Sequence, residues 1–253
     1  MTITKSRKDD GLLIVTLSEP ARRNPVGHAT RLALLAHLAE AEADDAVRAV
    51  VLTGAGGHFS AGGDIHDQGE RSIAAHRDRF ATIRDLVLRM VRLSKPLVAA
   101  VEGWAAGGGF ALAMACPTII ASRQARFTAS FTKIGLIPDM GLLATLPARI
   151  GPARARQMIL DNRVVEAPEA QAMGMSDQLC ASGEALDRAS AIARLQAEAA
   201  PLPRQFIIDW LARDVAAALD YEQTIQPALL NSLDAAEGRA AFRDKRVPRF
   251  RGA

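Results

Sequence analysis

The chain has 253 residues, of which 49% are hydrophobic and 23% charged, with a formal net charge of +3; these values describe a folded globular protein and exclude collagenous, low-complexity and disordered classes. Aromatic residues make up only 4%, too few for a base-stacking platform, and no run of about 18 apolar residues exists to span a bilayer. Cys116 and Cys180 fit neither a metal spacing nor a disulfide framework, and Met1–Asp10 has no apolar signal core, so a cytoplasmic protein is expected.

In chain order, Leu12–Leu17 (LLIVTL) is an apolar, β-branched run and reads as a strand. Pro20–Pro25 is a break. His28–Ala43 has helical periodicity through Leu32, Leu34, Leu35 and Leu38. Val47–Thr53 is a second strand, ended by Gly54–Gly57. Ser72–Leu93 reads as a long amphipathic helix carrying Phe80, Ile83, Leu86, Leu88 and Val91. Pro96 opens the strand Leu97–Val101, and Gly107–Gly109 opens a helix over Phe110–Cys116 that Pro117 stops. Thr118–Ala121 and Arg126–Ala129 are short strands. This alternation predicts an α/β fold. From Pro152 onward the pattern is helical. Pro201 and Pro203 mark a joint between a core over 1–199 and a C-terminal helical arm over 200–253.

Two glycine-rich segments carry the chemistry: Phe59-Ser60-Ala61-Gly62-Gly63-Asp64 and Gly103-Trp104-Ala105-Ala106-Gly107-Gly108-Gly109-Phe110. Each follows a buried-strand run and leads toward helical sequence. That arrangement can aim two backbone N–H groups at one point, which is what a thioester oxygen requires when negative charge develops on it. A single GGG is equally well a tight turn or a close backbone crossing; the pair shifts the reading toward function.

These segments, with Pro20-Ala21-Arg22-Arg23-Asn24-Pro25, Lys95 to Gly103, Gly135-Leu136-Ile137-Pro138 and Phe242-Arg243-Asp244-Lys245-Arg246, resemble the crotonase (enoyl-CoA hydratase/isomerase) superfamily over nearly the whole chain. The resemblance implies a spiral (superhelix) of ββα turns with a C-terminal helical trimerisation region, giving a homotrimer or a dimer of trimers. It implies an acyl-CoA thioester as substrate, with no metal or redox cofactor, no membrane and no nucleic acid as partner. It makes Gly63 N–H and Gly108 N–H the oxyanion hole. It places Ala61, Gly62, Asp64, Ile65 and Gly107 around the thioester or CoA, and Arg23 at the phosphates or pantetheine. Phe242 and Lys245 resemble a pair that reaches a neighbouring subunit's adenine and 3′-phosphate. Trp104, Phe131 and Met140 are candidates for the acyl pocket, with core packing as the alternative for each.

The departures narrow the reaction. Hydratases of this family carry two glutamates that handle water, and the matching positions here are Ala111 and Phe131, neither of which can activate water. Asp139, in Leu136-Ile137-Pro138-Asp139-Met140-Gly141, remains. It reads either as a helix N-cap or as an acid whose apolar neighbours raise its pKa; some members of the family use an aspartate at this position. The expected activity is enoyl-CoA double-bond isomerisation with Asp139 as acid and base. The alternatives are a hydratase-like lyase using another acid, and a silent acyl-CoA-binding or RNA-binding member, motivated by the basic end (Arg243, Lys245, Arg246, Arg249, Arg251). Glu102 reads as structural, Cys116 as a core thiol, and His58 as a solvated turn residue.

Overall fold

The apolar runs pair with one another in the interior, because a strand apolar on both faces must be covered on both. The computed structural model describes residues 2–64, 67 and 71–253. Its strands are β1 (Ile3–Arg7), β2 (Leu12–Leu17), β3 (Ala49–Gly54), β4 (Leu97–Val101), β5 (Trp104–Ala106), β6 (Thr118–Ser122), β7 (Arg126–Thr128), β8 (Val165–Glu166) and β9 (Gln178–Cys180). The large sheet runs β1-β2-β3-β4-β6-β9. Only the β1–β2 pair is antiparallel; Leu12 to Leu17 lie parallel to Ala49 to Gly54, and Val50 to Thr53 parallel to Leu97 to Ala100. A small sheet, β5-β7-β8, stands beside it.

The helices are α1 (His28–Ala43), α2 (Ile73–Val91), α3 (Gly108–Met114), α4 (Leu142–Ile150), α5 (Pro152–Asp161), α6 (Ala167–Ala172), α7 (Ala185–Gln196), α8 (Pro201–Leu211), α9 (Arg213–Leu230) and α10 (Leu233–Arg243). Alternate strand residues feed two cores. Val15, Val50, Leu52, Ala99 and Val101 join the main core with α1, α2 and α3, while Ile14, Val51, Val98 and Ile120 pack under the alanines of α7. Glu102 anchors that helix by accepting the N–H groups of Gly183 and Ala185 at 2.9 and 3.1 Å, the structural role read for it.

The chain repeats a strand–strand–helix unit. β4, β5 and α3 form one turn, and β6, β7 and α4 the next. The preceding turn is β3, Ser60 and α2, with Ser60 bridged in parallel to Ala105 of β5. This is the expected α/β spiral. Several boundaries differ from the sequence reading. β1 is an exposed edge whose polar ITKSR sequence carries no apolar signal. β5, β8 and β9 have two or three residues each, too short for periodicity to register. The region after Pro152 is therefore not wholly helical. Pro201 and Pro203 fall inside the first turn of α8, where proline needs no N–H partner.

Asn24 locks the first break to the first glycine turn. It is 1% exposed. Its Nδ2 donates to Ala55 O and His58 O, both at 2.8 Å, and its Oδ1 accepts Glu19 N–H at 2.9 Å. Asn24→Ala leaves these buried groups unpaired and is expected to lower stability by about 1–3 kcal/mol. A drop in the urea midpoint at unchanged m-value checks it.

Candidate active site

Consecutive turns of the spiral bring the two glycine segments side by side. The Ser60–Ala105 bridge fixes their register, with Ser60 N–H donating to Trp104 O at 2.9 Å and Ala106 N–H to Ser60 O at 3.0 Å. The residues that follow then meet. A Cβ built on Gly62 (φ +105°) would lie 2.7 Å from Ala106 O and 3.4 Å from Gly108 N. A Cβ built on Gly108 would lie 3.5 Å from Gly63 N. Gly107 takes φ +49°, ψ −125°, a conformation open essentially to glycine, and Gly108 then starts α3. Gly63 N and Gly108 N thus lie close together, and neither N–H donates to a backbone carbonyl in a turn or loop among the described residues. A first-turn N–H has no partner inside its own helix.

The loop carrying Asp139 closes on this point. Met140 Sδ sits 3.4 Å from the position of a Gly108 Cβ. Met140 and Gly141 both take left-handed backbone angles, at φ +55° and +77°. Helix α4 begins only at Leu142, with Gly141 as its N-cap and no side-chain capping bond. Asp139 therefore does not cap α4. Its half-buried carboxyl lines a small cavity with Arg31, Asp67, His76, Arg79 and Gln226. Burial pushes its pKa up to about 6, against the opposing pull of Arg31 and a hydrogen bond from Gln226.

A model of the family described as enoyl-CoA hydratase/isomerase matches residues 7–253. The chain belongs to the enoyl-CoA hydratase/isomerase family. It is 34% identical over 260 residues to the 1,2-epoxyphenylacetyl-CoA isomerase of Escherichia coli K12, covering 100% of this chain and 99% of that one. It is 35% identical to a putative enoyl-CoA hydratase of Thermus thermophilus, covering 94% and 96%. Among solved structures, an enoyl-CoA hydratase from Mycobacterium avium subsp. paratuberculosis K-10 superposes with a TM-score of 0.89 at 30% identity, covering 99% of each chain.

Within this family member, the remaining predicted positions fall in distinct places. Ala111 is fully buried and Phe131 is 6% exposed, and neither offers a polar side chain. Arg23 is exposed, and its carbonyl accepts Ala61 N–H at 2.7 Å, setting the predicted CoA turn directly against the oxyanion turn. Asp64 pairs with Arg22 at 2.6 Å. Ile65 lies outside the described residues. Trp104 is half-buried under the guanidinium of Arg126, 5.5 Å from its ring, and is not among the residues lining the Asp139 cavity. Phe242 and Lys245 are exposed at the end of α10. His58 is not the solvated turn residue expected: it is half-buried, and its Nδ1 accepts Trp104 N–H at 3.2 Å. Cys116 is a buried core thiol whose pKa burial pushes up to about 12.

Three site residues escaped the sequence reading. Glu222, 1% exposed on α9, accepts Gly141 N–H with both carboxyl oxygens at 3.2 and 3.0 Å. Gln226, one turn later, accepts Ile137 N–H at 3.2 Å and donates to Ile137 O at 2.8 Å. Together they clamp the loop on both sides of Asp139. Arg31 of α1 faces the same cavity. All three occupy the buried stripes of their helices, alongside Leu34 and Leu38 on α1 and Leu219 and Leu230 on α9. A polar residue at a core-facing helical position is the signal that could have found them.

Burial, reinforced by the Asp139 carboxyl, pushes Glu222 from 4.5 up to about 9. Between these values the folded protein keeps a proton that the unfolded chain releases, so stability falls as pH rises. Glu222→Gln is expected to flatten that decline by up to about 1.4 kcal/mol per pH unit, read from thermal midpoints at pH 6 to 9. Gly108→Ala tests the donor pair. Its Cβ meets only ordinary contacts at 3.4 and 3.5 Å, so the fold should persist. The methyl group nevertheless stands between Gly63 N and Met140 Sδ, where it crowds a thioester oxygen bound to this pair, and kcat on a thioester substrate is expected to drop about 10²–10³-fold. Steady-state kinetics with an unchanged melting curve checks it.

Proposed function

We propose that the protein shifts the double bond of an enoyl-CoA. The carbonyl oxygen of the thioester sits on Gly63 N–H and Gly108 N–H, which favour the enolate over the neutral ester. Asp139 in its ionised form removes a proton from the carbon next to the carbonyl, leaving a dienolate. The same carboxyl, now neutral, returns a proton to the far end of the conjugated system. Water is not consumed, and one acid/base suffices.

The observation that carries this reading is a carboxyl with pKa about 6 in a loop whose next side chain, Met140, lies against the oxyanion donors. The apolar residues at Ala111 and Phe131 support isomerisation over hydration. CoA is taken to enter past Arg23, with Phe242 and Lys245 offered to a neighbouring subunit's CoA. The exposed apolar residues of α8, including Phe206 at 73% and Trp210 at 67%, support self-association of the C-terminal arm, in the trimeric form the resemblance implies.

The test is incubation with a 3-enoyl-CoA and, separately, a 2-enoyl-CoA in D₂O, followed by mass and absorbance. Conversion of the 3-enoyl to the 2-enoyl ester without gain of water, lowered at least about 10³-fold in Asp139→Asn, is expected. Because the ionised carboxyl is the base, kcat/KM should fall about tenfold per pH unit below about pH 6 and level off above it. Water addition to the 2-enoyl ester, or full turnover by Asp139→Asn, would sink the proposal.

A further inference from the structure

The cavity beside Asp139 contains a cation that the isomerisation step leaves unused. Arg31 is 7% exposed, and its Nε has no hydrogen-bond partner. Among the described residues its side chain forms no hydrogen bond or ion pair. Its nearest anions are engaged elsewhere. Asp67 accepts Arg79 on both oxygens, at 2.9 and 2.6 Å, and His28 N–H at 2.8 Å. Asp64 pairs with Arg22 at 2.6 Å. Asp139 attracts Arg31 only through space, and as a proton carrier it is neutral for part of each cycle. A buried guanidinium without a fixed counter-ion is costly to the fold, and such an unpaired group calls for an explanation.

The rest of the cavity fits an anion of small size. Its volume is about 30 Å³, with Phe80, Ile83 and Leu136 as apolar walls. His76 also faces it and is 1% exposed, with neither ring nitrogen in a hydrogen bond; Asn231 is near the ring but out of bonding geometry. Burial and the neighbouring arginines lower the pKa of His76, and its ring has a donor to offer. The planar fork of a guanidinium matches a carboxylate in a bidentate pair, whereas a methyl or ring terminus would leave the cation facing hydrocarbon.

We propose that Arg31 determines specificity for an acyl-CoA whose chain ends in a carboxylate, a monothioester of a dicarboxylic acid, seated on the Arg31 guanidinium next to Asp139. This rests on the enoyl-CoA reading of the site, which it deepens by naming the substrate class. A carboxylate there neutralises Arg31 whether or not Asp139 holds its proton.

The experiment measures binding of CoA monothioesters of dicarboxylic acids, from succinate to suberate, against alkanoyl-CoAs of the same chain length. It adds the ω-hydroxyacyl-CoA of the best length. The wild-type protein should bind the carboxylate-ended ester at least about tenfold more tightly at one length, a preference that Arg31→Gln abolishes. The matching 3-enoyl esters should show the same selectivity in kcat/KM. No preference at any length in the wild type overturns the proposal without need of a variant. A preference that survives in folded Arg31→Gln, or equal binding of the hydroxyl-ended ester, also overturns it. Carboxylate-selective binding without isomerisation upholds this inference while removing the isomerase reading. Isomerisation of methyl-ended esters at equal efficiency does the reverse.

Discussion

The parallel pairing of successive spiral turns is the constraint on which the site depends. β3 and β4 are neighbours in the large sheet, and Ser60 pairs with Ala105 in the small one. Once those registers are set, the chain leaving each turn must pass the same place. Glycine is required there for space as much as for backbone angle: a Cβ on Gly109 would stand 2.5 Å from the Ser60 side chain. The close approach of Gly63 N and Gly108 N is thus a by-product of repeating one unit. Their geometry is as rigid as the sheet, and donors that need not reorganise are the most effective electrostatic catalysts.

The acid is positioned differently. Asp139 sits in a loop with two successive left-handed residues, which local preference alone would not hold. The C-terminal arm holds it: α9 packs along α2 and α4 and presents Glu222 and Gln226 to the loop backbone. The same burial that makes this clamp firm raises both carboxyl pKa values. A protonated Glu222 and a poised Asp139 are therefore two consequences of a single dry environment. The arm thus shapes the candidate site as well as carrying the exposed apolar residues of α8.

Charge in this small space is arranged in pairs with one exception. Arg79 with Asp67 and Arg22 with Asp64 are closed, and burial lowers the pKa of His76. Arg31, among the described charged residues lining the cavity, has only a through-space partner, Asp139. The physical cost of leaving it so is what connects an otherwise ordinary α1 residue to the question of substrate.

Much of this was legible in the chain. LLIVTL, VRAVVLT and LVAAV read as buried strands because parallel strands covered on both faces are apolar throughout. His28–Ala43 was bounded to the residue because a continuous amphipathic pattern lies between two breaks. The glycine segments and Asp139 were readable because glycine and an isolated acid in apolar sequence each imply a specific physical need. The edge strand β1 and the short strands β5, β8 and β9 were not, since their existence depends on partners distant in sequence. By itself, then, the sequence determined the α/β alternation and the family, and it singled out the two glycine segments and Asp139 as the candidate site. Only the tertiary structure decided that His58 bridges the two turns, that Asp139 caps nothing, and that Arg31, Glu222 and Gln226 meet it. Those contacts join residues from 31 to 226, and side chains so far apart in the chain acquire a shared environment only when the helices pack.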